Sequence, residues 1–149
     1  MESGLIRQAH ASDLDAIEAL ENDLFAGDRL SRRSLLYFLR TPTAVAMVVP
    51  GAGGLDAYAL VAFRKNSSIA RLYSIAVATP AAGRGLGRRL LATCEAVAAR
   101  RGCRAMRLEA RADNPAAIRL YQAMGYAEFG READYYEDGA AAVRFGKGI

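Results

Sequence analysis

The sequence predicts an α+β domain with one mixed sheet, and three observations carry that prediction. Apolar residues in the first half fall into short strand-like runs separated by glycine-rich or Asn-Ser turns, the pattern of antiparallel pairing. After Pro80 the period becomes helical, with Leu86, Leu90, Leu91, Cys94, Val97 and Ala98 on one face. Strand and helix patterns then alternate to the C-terminus, with no repeat, long linker or low-complexity block beyond general alanine richness.

In chain order, residues 5–9 read as a first strand. Ser12 is a candidate cap for a helix carrying Leu14, Ile17, Leu20, Leu24 and Phe25, with Asp13 and Asp15 at the positive end of its dipole and Gly27 as its stop. Ser31 is a second candidate cap, opening a short helix through Leu35, Leu36, Phe38 and Leu39 that Pro42 terminates. Strands follow over 44–49, 58–65 and 69–77, the first two joined as a hairpin by residues 50–56 and the next pair by Asn66, Ser67 and Ser68. The helix after Pro80 runs to Arg101, where Gly102 suits a C-terminal stop. Residues 104–111 read as a strand and 114–124 as a helix closed by Gly125. The segments 126–133 and 141–145 are the last strands.

A chain of 149 residues sets a prior of one domain over 1–149, and 52% hydrophobic with 24% charged residues is ordinary globular usage. No apolar stretch approaches the roughly 20 residues of a membrane span. Met1, Glu2, Ser3 and Gly4 lead into strand-like sequence without the marks of a secretory signal, so a soluble cytoplasmic protein is expected. Cys94 and Cys103 are too few for a disulfide scaffold and lack zinc-site spacing, and His10 is the only histidine, so multi-histidine metal chemistry is excluded and no metal is expected. Arginine supplies nearly all of the formal charge of +4, Lys65 and Lys147 being the only lysines. Guanidinium forks match phosphate oxygens, which favours a phosphate-bearing ligand; without a recognition motif, no direct nucleic-acid contact is expected.

Two stretches carry candidate chemistry. In the first, Gly83, Gly85 and Gly87 lie between the strand bearing Ile75, Ala76 and Val77 and the start of an amphipathic helix, with Arg84, Arg88 and Arg89 beside them. Free backbone N–H groups and the helix dipole make such a place an anion site; the alternative is a flexible helix start with solvated arginines. No Lys-Ser/Thr pair follows and the dinucleotide fingerprint is incomplete, so nucleotide P-loop and Rossmann readings fail. In the second, Asn114 is an N-cap, Pro115 suits the first helical position and Gly125 the stop. Tyr121 sits two turns inside that helix, near Ile118 and Met124. A buried core tyrosine is the competing reading there.

The two stretches together, in this order, resemble the GNAT superfamily of acyl-coenzyme A N-acyltransferases, whose motif is Q/R-x-x-G-x-G/A after a strand, followed by an Asn-led helix with a tyrosine and a Gly-aromatic ending. Gly85 and Gly87 match the glycines, Asn114 and Tyr121 the helix, and Gly125-Tyr126 the ending; Ala82 stands where the family usually has Gln or Arg. The resemblance implies a single N-acetyltransferase domain with a mixed sheet of about six to seven strands flanked by about four helices, and acyl-CoA at splayed parallel strands. Acetyl-CoA would be held by Ile75, Ala76, Val77, Gly83, Arg84, Gly85, Leu86, Gly87, Arg88, Asn114 and Tyr121. Within the superfamily the C-terminal half looks most like the RimI type, which acetylates the N-terminal alanine of a ribosomal protein. By that similarity Glu109 would be the general base and Tyr121 the general acid.

Elementary chemistry agrees with these roles. Alternation puts Arg107, Glu109 and Arg111 on one strand face, so a solvated charge ladder is one reading and a carboxylate favoured by flanking cations, working through an ordered water, is the other. Such a weak base fits an α-amine, with a reference pKa of about 7.7 to 8.0, better than lysine. The acidic stretch 132–138 reads either as a solvated loop or as a lip that attracts a cationic acceptor through Tyr135, Tyr136 and Glu137. The leading expectation is direct acetyl transfer to a protein or peptide N-terminus; a small metabolite or drug amine, and a non-catalytic acyl-CoA sensor, are the competing ones. A monomer or homodimer without membrane attachment is expected.

Overall fold

The computed structural model describes residues 5–25 and 27–149, so the expectation for the first four residues lies outside the described part. Among the described residues, seven strands form one sheet in the order β1-β2-β3-β4-β5-β7-β6. The strands are β1 (Arg7–Gln8), β2 (Ala44–Gly51), β3 (Gly54–Phe63), β4 (Ile69–Val77), β5 (Ala105–Arg111), β6 (Ala127–Glu132) and β7 (Ala142–Gly148). The helices are α1 (Leu14–Leu24), α2 (Arg32–Arg40), α3 (Leu86–Arg100) and α4 (Pro115–Ala123). None of them is long and apolar enough to cross a membrane.

Every neighbouring pair in the sheet is antiparallel except β4 and β5, which run parallel across α3. Alternation along the strands gives the sheet two apolar faces. Val45, Met47, Ala59, Leu72, Met106, Leu108 and Phe145 pack with Leu86, Leu90, Leu91 and Cys94 of α3, while Ala46, Val48, Tyr58, Leu60 and Ala76 pack with Leu14, Ile17 and Leu20 of α1 and Leu35 of α2. Cys94 and Cys103 are buried free thiols, and burial pushes the Cys94 thiol up to about 12.

Several boundaries differ from the sequence reading. Of the expected 5–9 strand, Arg7 and Gln8 form ladder pairs with β2 and the Ala9 N–H donates to the Ala46 carbonyl at 2.8 Å, after which the chain turns into a 3-10 segment at Ala11–Asp13. Ser12 lies inside that turn and does not cap α1. The start is fixed instead by the Asp13 carboxylate, which accepts the His10 N–H at 2.8 Å and both Arg7 Nη donors at 2.9 Å. Helix α1 stops at Leu24, before Gly27, and the following loop is drawn back onto it by the Glu21 carboxylate, which accepts the Leu30 N–H at 2.8 Å. Ser31 caps α2 as expected, accepting from Ser34 N–H. The β2–β3 hairpin closes more tightly than a 50–56 loop, since Pro50 pairs with Leu55 and Gly51 with Gly54. A Cβ at Gly51 would meet the Asp56 side chain at 2.0 Å. Strand β7 continues past Phe145 because β5 offers partners down to Ala105.

Candidate active site

The parallel pairing of β4 with β5 is confined to three positions, Ile69 with Ala105, Ala70 with Met106 and Arg71 with Arg107. Beyond them β4 stays on β3 as far as Val77, and β5 stays on β7 as far as Arg111, so the two strands part like a V. The register shift between Leu60 and Val61 leaves Tyr73 as an extra residue in β4 at the point of divergence. From Leu72 onward β4 is paired on one side only, and alternate backbone amides of that stretch face the gap.

A cleft of about 1060 Å³ fills this gap, lined by Ile75, Ala76 and Val77 on β4, by Glu109 and Arg111 on β5 and by Asn114 and Tyr121 of the α4 segment. Glu109 therefore faces the cleft, which strand alternation alone does not establish. Its carboxylate is 2.6 Å from Arg71 Nη2 and 3.7 Å from Arg144 Nε, the latter directly opposite it across the β5–β7 ladder. The flanking residues expected to serve it are engaged elsewhere. Arg107 lies over the Phe129 ring, and Arg111 binds Asp28, Asp113 and Asp138. Alternation puts both arginines on the right face, but cross-strand register brings Arg71 and Arg144 closer.

Tyr121 is 5% exposed, with its ring about 6.0 Å from those of Tyr126 and Phe145. Burial pushes its phenol above the ordinary value of 10, with a smaller contribution from Tyr136. No hydrogen-bond partner for its hydroxyl is present among the described residues, unlike Tyr126, whose hydroxyl donates to Glu95 at 2.7 Å. Asn114 does cap α4, its Oδ1 accepting the Ala117 N–H at 3.1 Å, and it also lines the cleft.

Gly83, Arg84, Gly85, Leu86, Gly87 and Arg88 are not part of the cleft lining; they lie at the start of α3, beyond Val77. Gly83 and Gly85 take φ of +84° and +75°, and a Cβ on either would meet nothing within 4 Å, so this backbone is open to an approaching anion. Gly87 has a packing role as well, since a Cβ there would meet Leu120 at 3.4 Å. Leu86 is buried, so only its backbone could meet a ligand. Arg84 leans toward Asp56 at 3.6 Å, while Arg88 is exposed. The donor set at this helix start, together with the cleft it adjoins, fits a pyrophosphate with a pantetheine arm.

The geometry places a glycine-rich helix start, a V between parallel strands and an Asn-capped, tyrosine-bearing helix around one gap. The profile of the Acetyltransferase (GNAT) family matches residues 14–126. The chain belongs to that family. It is an N-acetyltransferase that uses acetyl-CoA. The chain is 30% identical over 140 residues to an uncharacterized N-acetyltransferase of Methanocaldococcus jannaschii, covering 93% of this chain and 88% of that protein. Among solved structures, the Escherichia coli ribosomal-protein-S18-alanine N-acetyltransferase is 28% identical with a TM-score of 0.86, covering 97% and 93% of the two chains. Arabidopsis thaliana NAA60 in complex with acetyl-CoA, at 19% identity, shares the fold with a TM-score of 0.84 over 97% and 98%.

Around this GNAT cleft lie residues that sequence reasoning did not single out. Glu21 is a buried carboxylate on its wall, accepting from Ser74 Oγ at 2.7 Å and from the Tyr58 hydroxyl. A signal existed, because Glu21 stands four residues after Ile17 on the apolar stripe of α1. Arg71 likewise interrupts the apolar run of β4. On the far lip, Tyr136, Glu137 and Asp138 line the cleft, whereas Tyr135 stands behind them, accepting from Arg71 Nη2 at 3.3 Å.

Proposed function

We propose that this enzyme transfers an acetyl group directly to the N-terminal α-amine of a protein or peptide, with Glu109 as a water-mediated base and Tyr121 as the acid. The observation that carries this reading is that Glu109 and Tyr121, from different elements, line the same cleft beside the unpaired edge of β4. Acetyl-CoA supplies a thioester, whose carbonyl carbon takes the amine and whose sulfur departs as thiolate. Backbone N–H groups of Ile75, Ala76 or Val77 meet the developing oxyanion, which preorganised donors in a dry site stabilise strongly. Glu109 takes the amine proton through a water, oriented by Arg71 and Arg144. Tyr121, kept protonated by burial, gives its proton to the departing sulfur. Gly83, Arg84, Gly85, Leu86, Gly87 and Arg88 hold the pyrophosphate through the α3 start, and Asn114 meets the pantetheine arm.

An N-terminal acceptor is supported by similarity to the alanine N-acetyltransferase from Escherichia coli and by the chemistry of the lip. Tyr135, Tyr136 and Glu137 form its acceptor side, where acidic groups favour a cationic amine before it loses its proton. The test is thiol release from acetyl-CoA with a panel of peptides, alanine-starting ones included, beside small amines and an acceptor-free control. Peptide-dependent release with acetyl mass on the α-amine is expected; release with small amines alone would overturn the protein acceptor.

A further inference from the structure

The end of the sheet opposite the cleft carries a concentration of positive charge that acetyl transfer does not use. Strand register puts Ala44, Phe63, Ile69, Ala105 and Gly148 along this edge. Three connections cap it: the α2–β2 link, the β3–β4 turn and the α3–β5 link. They are tied together, since Arg101 donates to the Pro42 carbonyl at 2.8 Å and lies over the Phe63 ring, and Arg104 N–H donates to the Ser68 carbonyl at 2.7 Å. Arg40, Arg64, Lys65, Arg100, Arg101 and Arg104 all belong to these connections or the helix ends feeding them, and all six are exposed.

No Asp or Glu occurs in residues 40–44, 63–69 or 100–105, and among the described residues none of the six cations has an ion-pair partner. The six exceed the formal net charge of the whole chain, +4, so the rest of the molecule, cleft lip included, is net negative. A single-sign field of this kind, without interspersed carboxylates, attracts a polyanion. Five of the six are arginines, whose forked donors match phosphate oxygens.

We propose that this basic pole binds the phosphate backbone of a nucleic acid without reading its base sequence. Two further observations favour that partner over an anionic membrane. Of the large apolar side chains exposed among the described residues, Leu5, Tyr37, Tyr73 and Phe129, Tyr37 is the one on a segment that feeds the pole, so the described residues offer no cluster of apolar side chains there to enter a bilayer. Tyr37 itself is exposed on α2 beside Arg33 and Arg40, an aromatic face next to cations on which an unpaired base can stack. The absence of a recognition motif does not count against this reading, since backbone contacts need none. The pole lies at the Ile69 end of β4, whereas the cleft lining begins at Leu72 and runs to Val77, so at about 3.3 Å per residue the near edge of the cleft is about 10 Å from the pole and its far end roughly 26 Å, and the cleft opens toward the other end of the strand.

Fluorescence anisotropy with a short labelled RNA hairpin and a DNA duplex, each titrated with the enzyme saturated in acetyl-CoA, tests the proposal. Affinity should fall between roughly 50 and 200 mM salt, with a log–log slope of about −3 or steeper. The combined variant Arg64→Glu, Lys65→Glu, Arg104→Glu should bind at least about tenfold more weakly and flatten that slope, while acetyl-CoA affinity and the thermal midpoint stay unchanged. The milder Arg64→Gln, Lys65→Gln pair should give an intermediate loss. Arg131→Glu, at an ion pair with Glu128 away from the pole, should cost much less than Arg104→Glu alone. The proposal is overturned if the triple variant retains RNA and DNA binding, if acetyl-CoA displaces the nucleic acid, or if phosphatidylserine vesicles or polyglutamate are bound in its place. None of these readouts requires turnover, so they stand apart from the identity of the acceptor.

Discussion

Arg71 Nη2 and Glu109 Oε1 lie 2.6 Å apart although 38 positions separate the two residues in the chain. They meet where β4 and β5 stop pairing, so the candidate base is held by a cation from the strand that leaves it. Glu109→Gln is expected to lower kcat by about two orders of magnitude with the KM for acetyl-CoA unchanged, the usual scale for a lost general base. Arg71→Met, which removes the grip but keeps the base, should lower kcat by about tenfold through misorientation. Steady-state kinetics on both variants checks this, and full activity in Glu109→Gln would remove it from the mechanism.

Tyr121→Phe should bind acetyl-CoA as the wild type does and lose about 100-fold or more in kcat. Because burial raises the phenol above 10, its donor form persists through the neutral and mildly alkaline range. kcat/KM for a peptide should then rise as the α-amine deprotonates near about 8 and hold level to about pH 10. A descending limb below that pH in the rate profile would argue against Tyr121 as the proton donor.

Arg111 joins parts of the lip that are far apart in sequence. Its Nη1 reaches Asp28, after α1, at 2.5 Å, and its Nη2 reaches Asp138, before β7, at 2.6 Å, with the Tyr136 ring 5.0 Å away. Arg111→Ala is expected to raise the acceptor KM by about tenfold while sparing the KM for acetyl-CoA, because only the acceptor mouth is released. Arg111→Lys should rescue this incompletely, as one ammonium lacks the fork that spans several carboxylates. An equal rise in both KM values would mean the change spreads beyond the mouth.

The buried Tyr58–Glu21–Ser74 cluster should show in stability against pH. Burial and the Glu21 charge push the Tyr58 phenol well above 10. The folded protein keeps that proton where the unfolded chain releases it. The contribution is therefore complete below about pH 10 and declines above it by up to about 1.4 kcal/mol per pH unit. Tyr58→Phe should destabilise at neutral pH by about 1.5 to 3 kcal/mol, the range for a hydrogen bond to a charged group, and flatten the alkaline decline. Urea unfolding from pH 8 to 11 reads both effects; an unchanged alkaline slope in the variant would assign it to other groups.

Much of this architecture was legible in the chain. The change of period after Pro80, the Asn114 cap and the strand run at 69–77 follow from local propensity, and each stands within a residue or two of its expected place. Ser12 misled because the chain makes a 3-10 turn over Ala11–Asp13 before α1 begins, and the Asp13 carboxylate closes that turn by accepting from Arg7 of β1 and from the His10 N–H. Glu21 escaped notice because an apolar stripe tolerates a carboxylate only when other elements bring donors to it, here Tyr58 from β3 and Ser74 from β4.

By itself the sequence determined the elements, the glycines that need positive φ at the start of α3 and the residue types able to move a proton. Those depend on backbone sterics, helix-end hydrogen bonding and side-chain pKa, which act within a few residues. Only the tertiary structure decided that Arg71 and Arg144, and not Arg107 and Arg111, attend Glu109, and that six scattered cations share one pole. Charge acts through space, and strand register sets spacing between segments that the chain keeps tens of residues apart.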